Sequence, residues 1–286
     1  MPKALAIVVA KFLPRSSIYR RILYTRVIKK KHSQDEIALF KKPIEKQFCR
    51  EAFFSQVICL GTSHMQYAFR PNEILEAAWN LAIPNCDFRT MYFIAKHALR
   101  INPHVRFVIG VDFWLKALQM EFTRDYPLLV LLDGLGIVPL QNRFMADELY
   151  QYGQVYELPI SDKWVFDKGF WEGLDYSDTP VIKRVSQHLK FLKLKDTESI
   201  WFSRLIALCQ KNGSHPVVVF PPARADYRAL LPKEKMLFDI YRHICNGIPV
   251  LDLFSDMSFS TDDFGDTDHL NLIGATKFSR LINNYL

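Results

Sequence analysis

The chain has 286 residues, 49% of them hydrophobic and 23% charged, enough for one large or two small domains with a sizeable core. Only 11 glycines and 15 prolines are present, which excludes collagen-like and low-complexity architectures, and no apolar run reaches the roughly 20 residues of a membrane-spanning helix. Lys and Arg exceed Asp and Glu by 37 to 30, but residues 1–50 alone carry 13 of the basic residues against three acids, so the remainder is slightly acidic. That asymmetry argues against a nucleic-acid groove across the main body and for a short basic arm.

The arm spans residues 1–50, and residues 51–286 form the main domain. The first ten residues loosely resemble a signal sequence, yet Lys11 interrupts them and no small-x-small cleavage site follows before Arg15, so cytoplasmic residence is expected ahead of secretion. Ile18–Lys31 places Ile18, Ile22, Val27 and Ile28 near one helical stripe among basic residues. Such a helix either lies on an anionic membrane surface, making the protein peripheral, or docks on its own globular domain. The cysteines, Cys49, Cys59, Cys86, Cys209 and Cys245, show no paired spacing and read as reduced thiols.

Strands and helices alternate from residue 55 onward. Gln56–Leu60 reads as a buried strand ending at Gly61; Pro71–Leu81 as a helix; residues 88–101 as an amphipathic helix stopped by Asn102-Pro103; and Arg106–Asp112 as a second strand. Residues 114–197 lose the rhythm and are rich in aromatics, as an insertion or lid that covers the sheet edge or stacks on sugar rings. It resumes with a helix over Ser199–Lys211, a strand over Pro216–Phe220, a helix over 233–246, a strand over Pro249–Leu253 and a terminal helix over 270–284. This order predicts an α/β fold with a mainly parallel sheet covered on both faces, whose chemistry gathers at the carboxyl ends of the strands.

Two of those ends carry reactive side chains. Gly61-Thr62-Ser63-His64 follows the first strand, where Ser63 is either an exposed nucleophile backed by helix N–H groups or a helix cap. Asp266-Thr267-Asp268-His269 precedes the last helix. His269 suits proton shuttling and Asp266 lies close enough to fix its tautomer, while Thr267 or Asp268 caps the helix. Gly134-Leu135-Gly136 lacks the dinucleotide-binding pattern, and no P-loop, HExxH or zinc spacing occurs, so neither cofactor nor metal is expected.

Taken together, the Gly-x-Ser turn and the Asp-x-x-His before the last helix resemble the GDSL/SGNH hydrolase superfamily, in the manner of bacterial members tied to surface-polysaccharide modification. The resemblance spans residues 55–113 and 199–286. It implies a three-layer, flavodoxin-like α/β/α fold with Ser63 as nucleophile, His269 as base and Asp266 as its orienter, acting as an esterase or an O-acetyltransferase on an acylated carbohydrate or small ester. Thr62 stands where the family's first block has Asp. The second-block region lacks Gly, leaving Asn85 as the oxyanion donor, and Asp112 replaces the third-block Asn. An ionised Asp112 would repel an oxyanion, so either it is protonated or another group donates. His64 is a contact to substrate or to the groups behind the site. The alternative is a non-catalytic binding or assembly module of an envelope pathway.

Overall fold

The computed structural model describes residues 34–123, 125–140, 165–172, 179–232 and 236–286. They divide into two compact units, one drawn from Met1–Glu45 and Met120–Ile160, the other from Lys46–Gln119 and Ser161–Leu286. The basic stripe expected over Ile18–Lys31 and six of the insertion's aromatics, Phe144, Tyr150, Tyr152, Tyr156, Trp164 and Tyr176, lie outside the described residues.

In the second unit, β1 (Val57–Leu60), β2 (Ala78–Asn80), β3 (Arg106–Gly110), β6 (Val217–Phe220) and β7 (Val250–Asp252) form one sheet in the order β2-β1-β3-β6-β7, with every pairing parallel. Apart from Asn80, Arg106 and Asp252 at their ends, the strands are short unbroken apolar runs, as burial on both faces demands. On one face Val57, Cys59, Val108, Val217 and Val219 pack with Met65 of α2 (Ser63–Ala68) and with Phe278 and Ile282 of α9 (Leu272–Ile282). On the other, the buried rings of Phe88 from α3 (Phe88–Ile101), Phe202 from α6 (Ser199–Lys211) and Tyr241 from α8 (Asp239–Ile244) meet at 4.8–5.6 Å between centroids. Helices on both faces of the sheet give the expected three-layer α/β/α arrangement.

The order reverses at β1, whose neighbours β2 and β3 lie on opposite sides, so a crevice opens at the carboxyl ends of β1 and β3. Ser63 follows β1 and Asp112 follows β3 there.

The segment 71–81 departs from expectation. Only Pro71–Glu73 turns, as a single 3-10 turn, and Ala78–Asn80 is the edge strand β2. Tertiary pairing overrides a helical pattern here: Gln56 and Val57 both donate to the Ala77 carbonyl, and Leu81 donates to Cys59. The free edge of β2 is covered in two ways. Gln47, the last residue of α1 (Gln34–Gln47), donates to the Asn80 and Ala82 carbonyls at 3.0 and 2.9 Å. The hairpin of β4 (Val165–Asp167) and β5 (Phe170–Glu172) presents its turn, whose Lys168 carbonyl takes the Asn80 N–H at 2.8 Å. Both turn residues have positive φ, 45° at Lys168 and 86° at Gly169, as a two-residue type I′ hairpin requires. A Cβ on Gly169 would overlap the Asn80 carbonyl.

The insertion also contributes α5 (Val181–Leu192), which packs against the 3-10 turn Phe113–Ala117 directly after Asp112. Of the helix expected over 233–246, Asp239–Ile244 is helical as α8, and residues 233–235 are outside the described set. In the first unit, α4 (Tyr126–Gly134) buries Leu128, Leu129, Val130 and Leu132. Gly136, at φ 71°, closes it by donating to the Asp133 carbonyl, so Gly134-Leu135-Gly136 is a helix terminus and not a nucleotide loop. All five cysteines are free. No described helix is long and apolar enough to cross a membrane.

Candidate active site

Gly61 ends β1 and the chain turns at Thr62 into α2. Thr62 is the helix cap: its Oγ1 accepts from His64 N–H and its carbonyl accepts from Met65 and Gln66. Ser63 is therefore the first helical residue and its hydroxyl is spared capping. The helix seats directly on the sheet because Gly61 and Gly110 leave room for Met65, whose side chain a Cβ at either glycine would overlap. Asn80 fixes its far end by donating through Nδ2 to the Met65 and Phe69 carbonyls at 3.0 and 2.8 Å.

The opposite wall is the loop before α9. Asp266 shapes it as an Asx turn, Oδ1 accepting from the N–H groups of Asp268 and His269 at 3.0 and 2.8 Å. Gly265 donates to the His269 carbonyl, and Arg224 Nη1 donates to the Asp266 carbonyl at 3.0 Å. The cap of α9 is Asn271, which accepts from Ile273 and Gly274, so neither Thr267 nor Asp268 has the capping role expected of one of them.

These walls bring the three residues of the expected triad together. His269 Nε2 lies 2.9 Å from Ser63 Oγ, and its Nδ1 lies 2.9 Å from Asp266 Oδ2. Ser63 and His269 are partly exposed, while Asp266 is buried. Burial alone would raise the Asp266 carboxyl, but its bonds to His269 outweigh that and hold it down at about 2. The Tyr67 ring, one helical turn beyond Ser63, stands 4.9 Å from the imidazole of His269.

Asp112 and His64 pair behind the nucleophile turn, which is one of the two places expected for His64. Asp112 Oδ2 accepts from Thr62 Oγ1 at 2.5 Å and Oδ1 lies 2.8 Å from His64 Nδ1, so both oxygens are engaged behind the nucleophile turn. His64 Nε2 lies 3.2 Å from Asp268 Oδ2, so its ring is held between two buried carboxylates. Burial disfavours a charge on His64, but Asp112 and Asp268 more than compensate and raise it to about 10. Ile83 donates to the Gly61 carbonyl, and Asn85 follows two residues later with φ 50°.

The insertion supplies side chains that sequence reading missed. Arg184 Nε lies 3.2 Å from Asp268 Oδ1. His188, one turn further along α5, stacks on Trp114 at 3.8 Å and pairs with Tyr227 Oη at 2.6 Å. Its burial keeps the His188 ring neutral, pushing it down to about 3. Arg184 and His188 share a face by their spacing of four, the one signal in the sequence that pointed to them.

His64, Asp268 and His269 offer three metal-type ligand atoms within 4.8 Å of one another. The nitrogens of both rings are already bonded, to carboxylates and to Ser63, and a protonated His64 has no lone pair to give a metal. The trio reads as an ion-pair network.

No protein-family model and no curated protein matches the chain. A solved structure from Streptococcus pneumonia, described as "a putative platelet activating factor", is similar at 11% identity and a TM-score of 0.43, covering 94% of this chain and 99% of that one. A likeness at that level carries no argument about chemistry, which rests on the geometry of Ser63, His269 and Asp266.

Proposed function

We propose that the protein is a serine-dependent acyl esterase or O-acyltransferase acting on an acylated glycan or other small ester. The observation that supports it is the continuous chain of contacts from Ser63 Oγ through His269 to Asp266, each link 2.9 Å. Ser63 Oγ attacks the ester carbonyl while His269 Nε2 takes its proton, and Asp266 stabilises the imidazolium that forms. Collapse of the tetrahedral intermediate breaks the acyl C–O bond; the leaving alcohol takes the proton from His269, and Ser63 keeps the acyl group. Water or a sugar hydroxyl then attacks the acyl-serine, giving its proton to His269, and Ser63 is released as the alcohol.

The oxyanion faces the N-terminus of α2, where the Ser63 N–H has no acceptor within the helix. Asn85, two residues beyond the Ile83 that bonds to Gly61, is our second donor. Asp112 and His64 hold the nucleophile turn and do not donate to the oxyanion. The substrate class follows the resemblance to the GDSL/SGNH superfamily.

Hydrolysis of p-nitrophenyl acetate tests the reading. The wild type should release nitrophenol with saturation, and Ser63→Ala and His269→Ala should each reduce the rate to background. Equal turnover by wild type and Ser63→Ala would overturn it. A folded wild type with no turnover on any acyl ester would favour a binding module instead.

A further inference from the structure

The proposed triad accounts for Ser63, His269 and Asp266, and leaves a second set of charges directly behind them. Asp268 is 5% exposed, and its two oxygens are shared among groups from three parts of the chain: α2, α5 and its own loop. Oδ1 lies 3.2 Å from Arg184 Nε, 3.0 Å from Thr267 Oγ1 and 3.6 Å from His269 Nδ1. Oδ2 lies 3.2 Å from His64 Nε2 and 3.9 Å from the neutral His188. Asp268 is thus a second carboxylate on the imidazole that activates Ser63, and two cations hold it.

We propose that His64 is a positioning residue, a buried imidazolium clamped between Asp112 and Asp268, which together with Arg184 balances Asp268 and so sets how readily His269 takes the proton of Ser63. This deepens the esterase reading and rests on it.

Charge counting gives the reason. Facing His64 are Asp112 from the loop after β3, Asp268 and His269 from the loop before α9, and neutral His188 from α5, while Arg184 of the same helix lies on the other oxygen of Asp268. Facing His269 are Ser63, His64 and Tyr67 from α2, Asp266 and Asp268 from its own loop, and Arg224, which donates to the Asp266 carbonyl while its other nitrogens hold Asp226. The inner set of Asp112, Asp266 and Asp268 carries three negative charges against the two positive charges of His64 and Arg184. One negative charge is left over; it faces the positive charge that His269 gains on taking the Ser63 proton, while the matching negative charge passes to the oxygen of the acyl group under attack. Without the His64 cation two would remain, and His269 would hold a proton to higher pH. Without Asp268 the balance tips the other way. The ring centroids of His64 and His269 are 4.9 Å apart, within the distance at which one charge moves a neighbour's titration by about one to three units.

Nitrogen-15 NMR of histidine-labelled protein, followed across pH, reads both rings without requiring turnover. The expected result is a wild-type His64 that stays protonated at about pH 8.5, far above the range of a free imidazole. The midpoint of His269 should rise by about one unit or more in His64→Gln and fall in Asp268→Asn. The rate of Ser63 labelling by a fluorophosphonate should show the same opposed displacements of its acid limb, which a purely structural loss would leave in place while lowering the plateau. If His64→Gln does not fold, Asp112→Asn replaces it, and His64 should then deprotonate at lower pH. A neutral His64 at about pH 8.5, or a His269 midpoint unmoved in folded variants, overturns the proposal. A wild type that is never labelled overturns the esterase reading instead, and the NMR midpoints still decide the role of His64.

Discussion

Asp266 does two things with one carboxylate. Oδ1 accepts two backbone N–H groups and folds the loop, while Oδ2 holds His269 Nδ1 and leaves Nε2 to face Ser63. Asp266→Asn preserves much of the turn but allows the amide to favour the wrong tautomer, and the ester hydrolysis rate should fall by about 10⁴-fold with little change in KM. Titration should also be visible in stability. His64 is raised to about 10 against burial by Asp112 and Asp268, so its contribution is complete below the free-imidazole value and is lost as pH rises toward 10. His188 is lowered to about 3 by burial, so its contribution is complete above that free value and is lost as pH falls toward 3. Asp266, held at about 2, adds a further loss as pH falls from its ordinary carboxylate value through that point. Melting temperature against pH should therefore peak near the free-imidazole value and fall on both sides, and His64→Gln should flatten the alkaline side. An alkaline side as steep in that variant as in the wild type would contradict the assignment.

Among the elements, α2 depends most on its supports. Its six residues form too short a helix to persist alone, and it is held by Thr62 at one end, Asn80 at the other and two glycines beneath. Asn80→Leu would leave the Met65 and Phe69 carbonyls without their amide donor, and urea unfolding should show a loss of about 1–3 kcal/mol. Gly110→Ala places a methyl against Met65 and should cut catalysis more than stability, since the displaced element carries Ser63; circular dichroism melting beside the ester assay separates the two. The strands β1, β3 and β6 were legible because unbroken apolar runs ending in Gly or Pro leave few other readings. The edge strand β2 was not. Its three residues carry no period, and its conformation comes from pairing with β1 and from the cover supplied by Gln47 and the β4–β5 turn, contacts remote in sequence.

Over the whole molecule the same division holds. The parallel sheet covered on both faces followed from the alternation of apolar strands and helices, and the grouping of Ser63, Asp266 and His269 from the resemblance that their two short motifs carry. The charge network behind them did not follow. Asp268 read as a helix cap and His64 as a contact to substrate or to groups behind the site, and the pairing of Asp268 with Arg184 depends on α5, within an insertion whose sequence shows no regular alternation. The most direct test of the account is the intact mass of the protein after reaction with a fluorophosphonate. One adduct is predicted on the wild type, mapped to Ser63 by peptide sequencing and absent from Ser63→Ala. An adduct of equal stoichiometry on that variant, or a folded wild type that takes up none, would contradict it.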